Sequence, residues 1–501
     1  MSKNIAVFSD GTGQDGGVRA EQRLSNVYKL YRVCRPGPDS TIDPKVQIAF
    51  YDPGLGTEGS ATAMSGPMRF FQKLLGSVTG RGVTTNIADC YEFIINHYEP
   101  GDRIFLIGFS RGAYTVRAVA DLIRLCGIPS HGAGGPLPKF RKAVRDIADE
   151  AVLTVLEHGA GHPREKFEDE REELARRFRD KYGSHHESGE ELRSNAAPYF
   201  IGVFDTVASL GAKGLRRRGI QFGLFASIAL ASILPSAVVA GIIGSLSTLT
   251  FWPTFFMTVA ILSVAGSVWL LRRMREAVRK TIRDFPNKGD VRRHQAEWKG
   301  EHFPKLLSRF VPFARSANAI DEARADFDRL PWGPGKHVQI QDTIGGYNRF
   351  EQMWFAGNHS DVGGSYPEPE SRLSDIALQW MVEEATRIPD GLKVDGQIAP
   401  GNAIGISRLQ LYPAADGVQH CEIAGMRDTL DRLPTLLRKL MGGRGWAVKV
   451  RAIHPQAPVH PTVAERFELP AALQCAGSGP YRPAALASHR EFHRFYKPAS
   501  G

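Results

Sequence analysis

Residues 219–271 contain no Asp, Glu, Lys, Arg or His, an unbroken run of 53 positions. One membrane span needs about 20 apolar residues, so this run holds two spans and a tight turn. The pattern predicts helices over 222–244 and 251–271, joined by 245–250. Trp252 and Trp269 fall near the ends of the second helix, where indoles favour an interface. Pro235 is tolerable inside a span because neighbouring groups satisfy the carbonyl it frees. A helical pair buried in a soluble core is the competing interpretation, although such helices usually keep a polar face. A hairpin that starts soluble and inserts later is a third.

Elsewhere the apolar runs are short and alternate with glycine-rich turns and helical patterns. Residues 5–8 and 46–51 read as strands, 86–97 as a helix stopped by Pro100-Gly101, and 103–109 as a buried strand. A helix over 110–126 ends at Gly127 and Pro129. This alternation predicts an α/β fold, a mainly parallel sheet with helices on both faces. Residues 139–193 are densely charged and read as a helical insert or cap laced with opposite charges. Strands follow at 199–204 and, beyond the apolar run and a basic helix, at 352–356. The last 110 residues are Pro-rich and show no clear period, and no internal repeat is found.

Six segments follow: 1–138, the first part of the core; 139–195, the charged insert; 196–213, a core strand; 214–283, the apolar hairpin with basic flanks; 284–390, a helical segment and more core; and 391–501, the C-terminal region. The 501 residues carry 63 Lys+Arg against 53 Asp+Glu, a formal charge of +10. The excess gathers at the hairpin, as Lys213, Arg216, Arg217 and Arg218 before it and Arg272, Arg273, Arg275, Arg279 and Lys280 after it. No aromatic interleaving accompanies these cations, so the reading is a bilayer partner and no nucleic acid. Basic flanks at both ends put both on the cytoplasmic side. The first apolar run is too short for a secretory signal. The five cysteines show neither metal-ligand spacing nor a disulfide framework, and read as incidental thiols in a reducing compartment.

The sharpest chemical signal is Gly108-Phe109-Ser110-Arg111-Gly112, which follows a strand pattern and opens a helix with small residues. In G-x-S-x-G the serine sits on a tight strand-to-helix turn, and side chains at the glycines would clash as the backbone reverses. A serine hydroxyl needs a base, itself oriented by an acid. Asp205 ends the strand 199–204 and His359 follows the strand 352–356, so both belong at carboxyl ends of strands, where ligands bind in open α/β sheets. A structural turn at Ser110, a capping Asp205 and a solvated His359 are the alternatives. The oxyanion donors are expected at the amide of Arg111 and at Gly11 or Thr12 in Asp10-Gly11-Thr12-Gly13. Asp10 and Asp361 are possible supporting groups; Asp361 either caps the Gly363-Gly364 turn, the preferred reading, or holds the His359 loop. A metal on Asp10, His359 and Asp361 has no support from spacing, so no metal or organic cofactor is expected.

The segments SDGTG (9–13), YDPGLGT (51–57), the block 86–123 around Ser110, FDTVASLG (204–211), AIDEARADF (319–327) and FAGNHSDVGGSY (355–366) resemble one family. It is the α/β-hydrolase-type domain family that includes the type VI secretion phospholipase effectors of the first lipase class. VHPTVAERF (459–467) and YRPAAL (481–486) are similar to its C-terminal motifs. The resemblance implies a serine hydrolase with nucleophile Ser110, acid Asp205 and base His359, acting on lipid esters. This chain departs from the family in the hairpin between acid and base, and in Ser316, where many members carry a His. The expectation is a membrane-tethered serine esterase, with a protein partner left open. A non-catalytic membrane scaffold and a secreted antibacterial lipase are the rivals.

Overall fold

Runs of apolar residues bounded by turns build one six-stranded sheet in this computed structural model, and every neighbouring pair is parallel. The structure describes residues 2–11, 14, 23–54, 81–132, 134–189, 192–207, 214–246, 250–296, 307–332, 342–395, 399–400, 409–423, 448–475 and 477–496. The strands are β1 (Asn4–Ser9), β2 (Gln47–Asp52), β3 (Arg103–Phe109), β4 (Phe200–Phe204), β5 (Phe313–Ala319) and β6 (Phe350–Phe355), in spatial order β2-β1-β3-β4-β5-β6. The helices used below are α1 (Asn26–Cys34), α2 (Arg81–His97), α3 (Arg111–Cys126), α4 (Lys142–Glu150), α5 (Glu168–Tyr182), α6 (Gly214–Leu246), α7 (Phe251–Val278), α8 (His359–Gly363) and α9 (Arg372–Arg387).

Side chains alternate across the pleat, so each strand feeds two cores. Ile5, Val7, Ile104, Leu106, Ile201 and Val203 pack with α2 to α5 on one face. Ala6, Phe8, Phe105, Ile107, Phe200 and Phe204 pack with α1 and α9 on the other. Burial on both faces explains the near-continuous apolar runs. The chain steps from β1 outward to β2, then back past β1 to β3, so β1 and β3 flank a topological switch point where ligands bind in such sheets. The register aligns the carboxyl ends there: Ser9 pairs with Asp52 and Gly108, and Phe109 with Phe204.

The strand β5 is absent from the sequence reading. Its residues, FARSANA, are small and polar yet all buried, and Arg315 is fully enclosed against Glu384. The apolar run forms α6 and α7, with Phe222–Leu246 and Phe251–Glu276 long and apolar enough to cross a membrane. They pack on each other, with Leu224 and Leu270 buried at their base and Ser232 Oγ 3.0 Å from Ser263 Oγ. Leu234 is 78% exposed and Leu246 81%, so the interpretation as a pair buried in a soluble core does not describe them. The basic residues beyond do not all continue as helix: α7 ends at Val278, and Arg279–Arg283 pairs antiparallel with Val291–Gln295.

The C-terminal residues dock on the β6 edge, where Trp354 N–H donates to Pro458 O (3.0 Å) and His460 N–H to Trp354 O (2.9 Å). Cys34, Cys90 and Cys126 are buried thiols. Cys421 and Cys475 instead form a disulfide, with Cα atoms 4.8 Å apart. This corrects the expectation of incidental thiols: a separation of 54 residues hides the pair in the sequence.

Candidate active site

The turn from β3 into α3 holds Ser110 at φ 57° and ψ −119°, a conformation side chains rarely adopt. Its neighbours must be glycines. A Cβ on Gly108 would lie 2.5 Å from Gly112 O, and one on Gly112 would lie 2.0 Å from Ser9 O. Ser110 N–H is tied to Phe204 O (3.1 Å), and Ser110 O accepts the Tyr114 N–H of α3 (3.3 Å). The serine stands at the N-cap position without capping the helix. Its hydroxyl instead faces His359 Nε2 at 2.8 Å.

Asp205 directly follows β4, also at positive φ (38°), and its N–H donates to Ala317 O at 2.7 Å. Its carboxylate is fully buried and receives four bonds. Oδ1 accepts from Ala319 N–H (3.0 Å) and Arg451 Nη1 (2.6 Å); Oδ2 accepts from Arg451 Nη2 (2.9 Å) and faces His359 Nδ1 (2.6 Å). Burial pushes this carboxyl up, but the Arg451 guanidinium and then His359 outweigh it and hold it well below the usual carboxylate range. An ionised carboxylate can only accept, so Nδ1 carries the proton and Nε2 is left to accept from the Ser110 hydroxyl.

His359 opens α8 just after β6. Asn358 caps this helix, its Oδ1 accepting from Ser360 and Asp361 N–H (both 2.9 Å), while Asp361 Oδ2 accepts the Asn358 N–H (3.0 Å). Asp361 therefore holds the His359 loop, the alternative reading, and does not cap the Gly363-Gly364 turn, the reading preferred from sequence. Glu322 accepts the His359 N–H at 3.2 Å, and the Phe109 and Phe327 rings flank the imidazole at 4.7 and 5.1 Å.

Arg111 is the first residue of α3, at the positive end of the helix dipole. Gly11 adjoins the serine, since a Cβ there would lie 3.4 Å from Ser110 Cβ. Its N–H, however, donates to Asp10 Oδ1 at 2.7 Å, so that donor is engaged inside its own turn. Thr12 lies outside the described residues. Asp10 does not touch the serine–histidine pair; its Oδ2 receives Ser25 Oγ and Tyr51 OH, and burial raises its carboxyl to about 6 against those bonds. The oxygens of Asp10 and Asp361 are thus occupied by separate partners, so the two do not gather with His359 as a metal set.

A model of the type VI secretion phospholipase effector family, Tle1-like catalytic domain, matches residues 3–231 and 255–384. The chain belongs to this family. Ser110, Asp205, Glu322 and His359 all lie within the matched stretches, whereas the crest of the α6–α7 hairpin falls between them. An uncharacterized protein of Saccharomyces cerevisiae, YEL023C, is 35% identical over 134 residues, 26% of this chain and 18% of the yeast protein. A crystal structure of an uncharacterized Pseudomonas aeruginosa protein aligns at TM-score 0.30 and 15% identity, over 77% of this chain and 45% of that one. The Tle1 effector bound to the VgrG spike aligns at 0.29 and 16%, over 74% and 53%. The chain therefore spans less than two thirds of the length of each of these relatives.

Sequence reasoning missed three groups around the relay. Glu322 lies in AIDEARADF, a segment singled out only by resemblance. His420 reaches the histidine loop from the C-terminal region, its Nδ1 2.7 Å from Asp361 Oδ1 and its carbonyl accepting from Asn358 Nδ2 (3.0 Å). Burial would lower this imidazole, but Asp361 and Glu370 outweigh that and raise it. Arg451 and His420 both lie beyond the family match, and no local motif marks either.

Proposed function

We propose that this chain is a serine hydrolase cleaving carboxylic esters of phospholipids or related lipids, held at a bilayer by the α6–α7 hairpin. The observation that carries the reading is the hydrogen-bonded path from Ser110 Oγ through His359 to Asp205, presented on a glycine-flanked elbow. Ser110 Oγ attacks the ester carbonyl carbon while its proton passes to His359 Nε2, and the carbonyl electron pair moves onto oxygen. Collapse expels the alcohol, which takes the proton from Nε2 and leaves an acyl-serine. Water, deprotonated by the same nitrogen, then releases the fatty acid and restores Ser110. Asp205 fixes the tautomer and stabilises the imidazolium, and Arg451 positions Asp205. The Arg111 amide, at the start of α3, is the expected first oxyanion donor, with Thr12 as the expected second.

Family membership supports a lipid ester as substrate, and the hairpin supports placing the site beside one. Two spans return the chain to its starting side, so Ser110, Asp205 and His359 share one aqueous compartment; a single span would part them by about 30 Å of hydrocarbon. The basic flanks favour the cytoplasmic face. Membership in an effector family favours a second reading, delivery to another cell, in which the hairpin inserts only at the target. Fractionation of the producing cell separates the two, because a resident enzyme pellets with its own membranes.

The test is a panel of phospholipids, lysolipids and short-chain esters with wild type and Ser110→Ala. Hydrolysis should fall at least about 10⁴-fold with the fold intact. A fluorophosphonate probe should label wild type alone. Equal turnover by the two proteins removes the mechanism, and an unlabelled, inactive wild type favours the membrane scaffold.

A further inference from the structure

The charged insert and the strand that follows the hairpin meet at a cluster of histidines away from Ser110. His158 stands just past the π-helical stretch Ala151–Leu156 that extends α4, Glu170 lies in the first turn of α5, and His294 lies on Val291–Gln295. His158 Nε2 is 2.7 Å from Glu170 Oε2, and the His158 and His294 rings are perpendicular with centroids 4.4 Å apart. One ring nitrogen from each histidine and one oxygen of Glu170 lie within 4.8 Å of one another, the only such trio among the described residues. His162 is near, its ring 6.3 Å from that of His294.

The surroundings are those of a ligand set. Phe167 stacks on His294 at 4.1 Å and gives the cluster an apolar floor. Arg292 holds Glu170 Oε1 (3.3 Å), leaving Oε2 to face the histidines, and Arg171 Nε holds the His158 carbonyl (3.2 Å). Outer partners of this kind orient metal ligands. His294 Nε2 accepts the Gly159 N–H at 3.0 Å, a hydrogen bond that a cation on that nitrogen would replace.

We propose that His158, Glu170 and His294 bind a divalent transition-metal ion, zinc by the chemistry of the donors, with His162 or water completing a tetrahedron. Two imidazoles and one carboxylate suit zinc, whereas calcium and magnesium take oxygen ligands. Binding asks the three donors to close to about 3.3 Å apart, as zinc distances near 2.0–2.1 Å require. His158 moves its proton from Nε2 to Nδ1 as it turns from Glu170 to the ion, so no net proton is released. The ion would fasten the insert to the segment leaving α7. Lys280 already ties the two through Glu157 (2.6 Å) and Leu153 O (2.7 Å), and Arg177 through Arg283 O (2.8 Å).

The experiment uses tag-free, full-length protein in detergent, stripped by chelator and titrated with Co²⁺. A visible absorption band of tetrahedral Co²⁺ should saturate at one equivalent, be bleached by Zn²⁺, and be lost in His158→Gln and His294→Gln. Hydrogen exchange of wild type should slow at residues 158–170 and 291–295 when Zn²⁺ is added. The exchange result decides even if the variants do not fold. No band in wild type, an undiminished band in both folded variants, or protection confined to other segments overturns the proposal. Each readout is independent of ester hydrolysis, so failure of the hydrolase reading leaves this one standing.

Discussion

Replacing Arg451 by Gln should move the acid limb of the activity profile. Arg451 Nη2 and His359 Nδ1 both contact Asp205 Oδ2, at 2.9 and 2.6 Å. They are therefore no more than about 5.5 Å apart, where two unit charges repel by about 3 kcal/mol at an effective dielectric near 20. In the proposed mechanism that repulsion opposes the imidazolium formed as Ser110 attacks. Without it, protonation of the relay becomes easier by up to about two pH units, since one unit is about 1.4 kcal/mol. The acid limb of kcat/KM against a soluble ester should rise by about one to two units, and Arg451→Lys should keep it in place. The pair also acts on stability. The Asp205 carboxyl lies lower in the fold than in the unfolded chain, so its contribution is present above about pH 4 and fades as pH falls through the folded value. Loss of the guanidinium from this buried pair should cost about 3 kcal/mol, the low end for such a deletion, because Ala319 N–H and His359 still face the carboxylate. An unmoved acid limb in a folded Arg451→Gln protein would refute the electrostatic argument and leave Arg451 as a strut.

Other perturbations separate the parts of the site. Asp205→Asn places an amide NH₂ against an Arg451 donor in either flip and, in one flip, against the His359 Nδ1 proton; kcat should fall about 10⁴-fold with little change in KM. Gly112→Ala drives a methyl into Ser9 O, 2.0 Å away and backbone, so the elbow must shift. Thermal unfolding should show a loss of about 3 kcal/mol or more, and an unchanged midpoint would contradict the packing. Leu234→Arg puts a charge on the exposed face of α6, which costs about 2.5–3.5 kcal/mol at the centre of a span. The membrane-associated fraction should drop, while a soluble hairpin would tolerate the change.

Much of the fold is written in local pattern. Apolar runs with turn residues at their ends locate β1, β3, β4 and β6, and the uncharged stretch locates α6 and α7. The Ser110 elbow is legible because its glycines answer a steric demand that any such turn makes. Asp205 and His359 are legible as polar residues at strand ends, which a parallel sheet brings to one edge. β5 is not, because an interior strand crowded by neighbours takes small side chains, and the carboxylate that pairs with its Arg315, Glu384, lies 69 residues away. Arg451 and His420 leave no trace for the same reason: their partners lie 246 and 59 residues distant, and no periodicity links such contacts. Gly11 is the opposite case, a position marked by its turn whose amide is claimed by the adjacent Asp10.

Strands β3, β4, β5 and β6 join the sheet one after another along a single edge, in the order in which they are synthesised. Ser110 and Asp205 thus emerge from the ribosome before the hairpin, and His359 and Arg451 only after it. A nascent chain halted between Asp205 and the end of α7 holds the Ser110 hydroxyl and the Asp205 carboxylate but not the imidazole that stands between them. On the hydrolase reading proposed above, such a fragment has no turnover.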